Sequence, residues 1–355
     1  MNKTICYIFK SLAVAAVLMT SSACRKTDVG HSGMPLSFSA EAVEMKAGAQ
    51  KTSEANLKNK PFGVAGVYSL EKGSEDCYNV FNSSNVKVSW DGDSESWEYS
   101  PLAYWNINRY YRFRAYHPYD ENDDAITVKN ASGDKLTIEY SVAAGQQDLL
   151  VGSARMQATV DQLLQRVDIN FQHALCGLEF RIAFNDADEI DDAYTDKITS
   201  FYLSGIVPTG TLIYSHETGD PLSDKIEWVT LDTAWDDTEF FNWESAEGKE
   251  FKKINDKKDN ATIIFDQDGM VFCVPQTCSQ KDKPDKPTDK PTKVNFKTKK
   301  GGSALHSAQL PELTWEPGKI YVYTLLVNKS DVTVSVTIKP WTVIESNENL
   351  FIYSL

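Results

Sequence analysis

Five histidines, six cysteines and two acidic stretches are the residues of this 355-residue chain whose types could do chemistry. The histidines, His31, His117, His173, His216 and His306, are dispersed, and a lone histidine on a strand is more often a satisfied structural residue than a ligand or general base. Asp186, Asp188, Glu189, Asp191, Asp192 and Asp196 form a dense acidic stretch, open to two readings: a weak cation site or a solvated loop. Asp266, Asp268 and Gly269 begin like a calcium loop but lack the third early ligand and the distal glutamate, which leaves a hairpin turn. Cys273 and Cys278 flank Val-Pro-Gln-Thr and could close a small loop in an oxidising compartment, while buried or free thiols are the alternative. Zinc would need a second cysteine or histidine pair, and the sequence has none. Phosphate loop, zinc-protease helix, nucleophile elbow and dinucleotide fingerprint are all missing. The expectation is a non-enzyme: no catalytic residue, no metal, no cofactor.

Aromatic residues are the other chemistry-bearing class, at 11% of the chain. Trp97, Tyr99, Tyr104 and Trp105 lead into Tyr110, Tyr111, Phe113 and Tyr116, and Trp228, Trp235 and Trp243 recur later. Such faces stack on sugars, so a surface carbohydrate-binding protein is one reading; core and edge packing is the other. Lys plus Arg is 36 against Asp plus Glu 50, a formal charge of -14. A chain that negative repels phosphate backbones, which argues against nucleic acid as a partner.

The elements that must carry these residues are strands. Aromatic and β-branched side chains suit a pleated, half-buried surface. Leu36, Phe38, Ala40 and Ala42 alternate with other residues in a first strand, followed by a basic, aperiodic stretch over residues 46–60, read as an exposed loop. Phe62, Val64, Tyr68 and Leu70, then Val86, Val88 and Trp90, then Leu136, Ile138, Tyr140 and Val142 repeat with period two and read as half buried. Residues 125–129 and 135–142 around Ser132 and Gly133 form a hairpin pattern, as do 261–265 with 270–274 and 319–327 with 332–339. The 319–327 run is apolar on both faces and so central. Val167, Ile169 and Phe171 keep odd positions inward, while Ala174, Cys176, Leu178 and Phe180 keep even ones, so a bulge or break falls near Gln172 and His173. Only Met156, Val160, Leu163, Leu164 and Val167 follow a helical rhythm, read as a short connector at a domain boundary. The architecture expected is all-β and antiparallel, in two domains: 36–160 and 161–355, with a solvated Lys/Pro-rich loop over 281–293.

The N-terminus reads as an address. Lys3 and Lys10 precede an apolar run over residues 12–19, and Ser21-Ser22-Ala23-Cys24 follows. This resembles a bacterial lipoprotein signal, 1–23, cleaved before Cys24, which would carry acyl chains, with 24–35 as a flexible spacer.

Several motifs, taken in order, resemble a known family. They are Pro61-Phe62-Gly63-Val64, Trp97-Glu98-Tyr99-Ser100-Pro101, Tyr104-Trp105, and Phe113-Arg114-Ala115-Tyr116-His117-Pro118. Further on come Asp148-Leu149-Leu150, Phe171-Gln172-His173-Ala174-Leu175, Pro208-Thr209-Gly210-Thr211, Pro317-Gly318-Lys319-Ile320-Tyr321 and Pro340-Trp341. Together they are similar to the fimbrillin family of Bacteroidota, the Mfa-like lipoproteins that build pili. The resemblance implies two transthyretin-like antiparallel β-sandwich domains in tandem, lipid anchoring at the cell outer membrane, and partnership with other fimbrial subunits by donor-strand exchange. It also implies contact with host or microbial surface ligands. In that family a protease removes the first strand, here Leu36, Phe38, Ala40 and Ala42, and a strand of the next subunit fills the groove. Family maturation is arginine-directed, but no arginine stands between Arg25 and Arg109, so cleavage would use Lys46, Lys51, Lys58 or Lys60. An uncleaved subunit would stay lipidated as an anchor or accessory component. The tail containing Leu350, Phe351, Ile352 and Tyr353 is read two ways, as a donor strand or as a closing strand of the second domain.

Overall fold

The computed structural model describes residues 33–42, 54–119, 124–142, 146–162, 165–185, 194–217, 220–230, 240–254, 261–265, 270–278, 291–302, 304–328 and 331–341. Outside the described residues lie the signal stretch 1–23, Cys24 and most of the spacer, Lys46, Lys51, the acidic stretch 186–192, the 266–269 turn, most of the 281–293 loop, and the tail with Leu350, Phe351, Ile352 and Tyr353.

The first strand, β1 (Phe38–Ala42), is followed by a short helix, α1 (Glu54–Asn59). Then come β2 (Phe62–Ser69), β3 (Cys77–Asn79), β4 (Val86–Asp91), β5 (Ser96–Tyr99) and β6 (Tyr110–His117). Two later strands, β9 (Leu150–Gln157) and β10 (Val167–His173), return to the same sheet. Its order is β3-β2-β4-β5-β1-β10-β9-β6, and β2 also pairs with β6. The sheet therefore closes into a ring, with β3 lying beside β4 on the same edge of β2. Closure removes the free edges that an open sheet must protect.

The period-two expectation for β2 is half right. Phe62, Val64 and Tyr68 face the ring's core as expected, but all eight residues of the strand are buried, because the opposite face, with Ala65, is covered by a second hydrophobic cluster. That close cover explains Gly63: a Cβ there would lie 2.3 Å from a ring carbon of Tyr116. Leu70, just past the strand, is 51% exposed. The basic stretch before β2 is not wholly an exposed loop either, since α1 buries Leu57 completely.

A second sheet is built from β7 (Ile126–Ala131), β8 (Lys135–Ser141), β13 (Thr209–Glu217) and β14 (Asp220–Thr230), in the order β14-β13-β8-β7. The expected β7–β8 hairpin is present. Chain from both sides of residue 160 shares sheets, because β8 pairs with β13 and β10 pairs with β1 and β9. Among the described residues no helix connects them: Met156 ends up in β9, Val160 is 69% exposed in a turn, and Val167 opens β10, while Leu163 and Leu164 lie outside the described residues. A helical spacing of five residues here competes with a period-two run, Val167, Ile169 and Phe171, that has a core to enter.

The break expected after His173 is real. Strand β11 (Cys176–Phe184) leaves the ring and pairs in parallel with β22 (Lys319–Val327), which pairs antiparallel with β23 (Val332–Pro340). The central position read for 319–327 is thus observed, although the parallel pairing departs from the all-antiparallel expectation. Strands β16 (Thr262–Ile263) and β17 (Met270–Cys273) do not form a hairpin with each other; both pair with β11, at Arg181–Ile182 and at Cys176–Glu179. Facing this sheet, β12 (Thr195–Ser204), β15 (Phe240–Lys252), β19 (Lys293–Thr298) and β20 (His306–Gln309) run in the order β15-β12-β19-β20. A small pair, β18 (Thr277–Cys278) with β21 (Leu313–Thr314), completes the set. Phe180, Phe201, Phe251, Phe296 and Tyr323 fill the core between the two layers.

Candidate functional site

Strand β1 closes the ring and is the element on which the expected exchange chemistry would act. It lies between β10 and β5, in parallel register with β10 over five positions from Phe38–Val167 to Ala42–Phe171, but with one register partner on β5, Phe38 to Trp97. Leu36, Phe38 and Ala40 are buried at 2%, 1% and 6% exposure, so the alternation read from sequence is the one that faces the core. The Phe38 ring meets Tyr99 and Phe113 edge-on at centroid distances of 5.4 and 5.7 Å. Fully burying a Leu or Phe side chain is worth about 1.5–3 kcal/mol. The strand's approach is stitched to the loop between β5 and β6: Leu36 N–H donates to the Ala103 carbonyl at 2.9 Å, and Trp105 N–H donates to the Met34 carbonyl at 3.0 Å. The Tyr99 hydroxyl donates to the Leu36 carbonyl at 3.1 Å, and burial pushes that phenol's pKa up. Beyond the strand, Lys58 in α1 holds its ammonium 4.3 Å over the Trp90 ring, and Lys60 is exposed immediately before β2.

The other singled-out residues fall into structural roles. Trp97 and Trp105 are buried at 7% and 0% exposure, so the first tryptophan cluster is core rather than a stacking platform. Trp228 is half buried and donates its indole N–H to the Ala174 carbonyl at 2.7 Å. Cys273 and Cys278 are separate buried thiols, as is Cys176. Asp196 is buried and accepts from the backbone N–H groups of Lys197 and Lys300 at 2.7 and 3.0 Å. Among the described residues, no group of three His, Cys, Asp or Glu side chains is arranged to hold a metal.

The motifs of the resemblance converge where the sheets meet. His173 Nδ1 lies 2.8 Å from Asp148 Oδ2, and its ring stacks on Trp341 at 3.9 Å. Gly318, with φ of 67°, adopts the left-handed conformation glycine tolerates; its N–H donates to the Leu175 carbonyl and its carbonyl accepts from Trp341 N–H. Sequence reasoning missed a charged lock at the same junction. Asp224 of β14 accepts from Arg114 Nη2 at 2.9 Å, from Ser153 Oγ at 2.5 Å and from Arg155 Nη1 at 3.0 Å, so it ties the second sheet to β6 and β9. Burial alone would raise its pKa, but the Arg155 and Ser153 hydrogen bonds and the charges of Arg114 and Arg155 bring it down to about 2. No local pattern in the sequence couples residues so far apart; the one signal is Arg112 and Arg114 on the outer face of an aromatic strand.

A family model described as fimbrillin-like matches residues 50–341. No curated protein matches the chain. Among solved structures, the chain is similar to a fimbrial protein from Bacteroides vulgatus, with 17% identity, coverage of 87% of this chain and 100% of that one, and a TM-score of 0.53. It is also similar to a protein from Bacteroides uniformis proposed to act in cell adhesion, with 16% identity, 87% and 98% coverage and a TM-score of 0.45. A third likeness is to the C-terminally truncated tip fimbrial protein Mfa3 from Porphyromonas gingivalis, with 10% identity, 83% and 97% coverage and a TM-score of 0.36. The first likeness speaks for a shared fold; the other two carry no argument.

Proposed function

The chain belongs to the fimbrillin-like family, and from that premise we propose that it is a structural or accessory subunit of a cell-surface fimbria that assembles by exchange of β1. The reading rests on one observation above all: β1 closes an otherwise continuous ring and buries Leu36, Phe38 and Ala40 in it. Its partner strands are otherwise joined to their neighbours, β10 to β9 and β5 to β4, so both stay in the sheet when β1 leaves. A groove left by β1 exposes apolar core and the edges of β10 and β5, and an incoming strand with apolar residues at alternate positions regains both. The partner is therefore another fimbrial subunit. In this reading the precursor is exported as a lipoprotein, acylated at Cys24 and held at the outer membrane, and its two sandwich domains stand in tandem beyond residue 36. Cleavage after Lys46, Lys51, Lys58 or Lys60 frees β1, and the tail with Leu350, Phe351, Ile352 and Tyr353 is the candidate donor. Lys60 is exposed and so within reach of a protease.

The test uses the full chain made lipid-free by Cys24→Ser and treated with a lysine-specific endoprotease. The expected product is cut at one of the four lysines, loses the β1 segment, and forms heat-resistant ladders on a denaturing gel as concentration rises. A product that has lost β1 and stays monomeric at high concentration removes the polymerisation reading.

A further inference from the structure

One long sheet edge takes no part in the exchange of β1. Strand β23 pairs with β22 in unbroken register over nine positions, from Val332 opposite Val327 to Pro340 opposite Lys319, and with no other described strand. At the two ends of this hairpin, Asn328 N–H donates to the Asp331 carbonyl at 2.9 Å and Trp341 N–H donates to the Gly318 carbonyl at 2.8 Å. Hydrogen-bonded pairs alternate along an antiparallel ladder, so the odd-numbered residues turn their backbone groups to β22, and Val332, Val334, Val336 and Ile338 turn theirs outward. Natural edges are blunted by bulges, proline or charged side chains. None of these interrupts residues 332–338.

The order of side chains along this edge says what it would pair with. Residues 331–339 read Asp-Val-Thr-Val-Ser-Val-Thr-Ile-Lys, nearly the same in both directions apart from the oppositely charged ends. Laid antiparallel on its own copy about Ser335, the strand sets like against like: Val334 meets Val336, Thr333 meets Thr337, and Val332 meets Ile338. Asp331 meets Lys339 at both ends. Thr pairs and opposite-charge pairs are among the favourable cross-strand neighbours. A slip of two residues breaks both ion pairs, by setting Lys339 against Thr333 or Asp331 against Thr337. Asp331, Thr333, Thr337 and Lys339 are exposed, and Ile338 is 47% exposed. Val332, Val334 and Val336 are half buried against the core between the layers, so a second strand beside them covers flanks that one molecule leaves open. Asn328 Nδ2 donates to Asp331 Oδ1 at 2.6 Å and holds that carboxylate at the head of the strand.

We infer that β23 pairs antiparallel with β23 of a second copy of this chain, about a two-fold axis at Ser335. The contact is isologous, with one surface serving both copies. Its outward backbone groups supply the hydrogen bonds, and its palindromic order supplies the register. No residue of β1 or of its ring takes part, so one subunit can make this contact and the exchange contact together. One strand per copy is a smaller contact than the roughly 800 Å² per partner of a standard interface. The pairing is accordingly weak and reversible, with a dissociation constant of about 10–100 µM.

Analytical ultracentrifugation of the uncleaved, lipid-free full chain tests this, because β1 is still in place and exchange cannot contribute. A monomer–dimer equilibrium is expected, and the dimer should dissociate on a denaturing gel. Lys339→Asp sets like charges opposite each other at both ends and should weaken the dimer roughly tenfold. Adding Asp331→Lys to it restores opposite charges and should return the affinity to that of the parent. Both positions are exposed, so neither change threatens the fold. Register is read by cross-linking with oxidised glutathione: Ser335→Cys faces its own copy within about 4.5–5.5 Å and should give a covalent dimer. Thr337→Cys is displaced from its copy by about 13 Å along the ladder, beyond the reach of a disulfide, and should not. A chain that stays monomeric to about 500 µM, several times the expected constant, overturns the inference. So does a dimer that Lys339→Asp leaves intact, a charge swap that restores nothing, or equal cross-linking at the two positions. Dimerisation only after removal of residues 342–355 gives the edge to the tail instead, and each of these results leaves the fimbrial reading untouched.

Discussion

Phe38 and Val167 stand opposite each other in a parallel pairing, although nearly the whole closed ring lies between them in sequence. Parallel neighbours need a long crossover, and here the crossover is the rest of the first sheet. In the proposed exchange the N-terminal strand is the piece of the ring that is withdrawn, which requires anchoring side chains weak enough to release and strong enough to hold.

Phe38 should dominate that hold. Phe38→Ala removes the ring that meets Tyr99 and Phe113, at a cost of about 3–5 kcal/mol. If β1 opens separately from the rest, the loss appears as local opening: amide exchange in β1 and on the facing edge of β10 should accelerate roughly a hundredfold or more, while amides of β22 keep their rates. Equal acceleration everywhere would mean that β1 opens only with global unfolding.

The strand alternations were legible because each has one face to bury, as for Leu36, Phe38 and Ala40 or Leu136, Ile138 and Tyr140. What stayed hidden depends on which strand covers which. The small residues on the outer face of β2 give no hint that a second cluster lies on them. Two short strands that flank a turn look like a hairpin until β11 offers both of them a better edge. Trp105 could not be told from a sugar platform by type alone; at 0% exposure it is packing.

The three thiols should be inert in the native chain. Cys176 Sγ donates to the Cys273 carbonyl at 3.2 Å, and burial pushes the Cys176 and Cys278 thiols upward, away from the reactive thiolate. Mass spectrometry after iodoacetamide at pH 8 should find Cys176, Cys273 and Cys278 unmodified, and all three alkylated in denaturant. Rapid native labelling of Cys176 or Cys273 would show that the β11–β17 pairing opens, and labelling of Cys278 that the β18–β21 pairing does.

Asp224 should be worth more than a surface ion pair. Arg114 is 2% exposed in its side chain, so Asp224→Ala leaves a buried guanidinium without its carboxylate, a loss of about 3–5 kcal/mol. The sign of the pH dependence follows from a folded pKa of about 2, below the ordinary 3.8. The stabilisation is present above about pH 4 and is lost as pH falls towards 2. Urea midpoints between pH 5 and 2 should fall for the parent, and with a shallower slope for Asp224→Asn.

His117 predicts a second, separate window. It ends β6 opposite Leu150, and its ring approaches Phe171 edge-on at 6.3 Å. Burial lowers its pKa from 6.5 to about 4, opposed by the charge of Asp148 and assisted by that of Lys60. The folded protein therefore resists a proton that the unfolded chain accepts. Stability is complete above pH 6.5 and declines as pH drops towards 4, by about 3 kcal/mol across the interval. Asp224 stays ionised throughout that range, so the two effects separate on the pH axis. Urea titrations at pH 7.5, 6, 5 and 4.5 should give a falling midpoint for the parent and a flatter line for His117→Phe, which keeps an aromatic ring beside Phe171 without a proton to bind. Because the ring touches Phe171 of β10, the same acid range should hasten amide exchange along β10 in the parent and not in the variant. Identical pH profiles for the two proteins would mean that His117 takes up its proton alike in the folded and unfolded chains, with the charge of Asp148 offsetting burial.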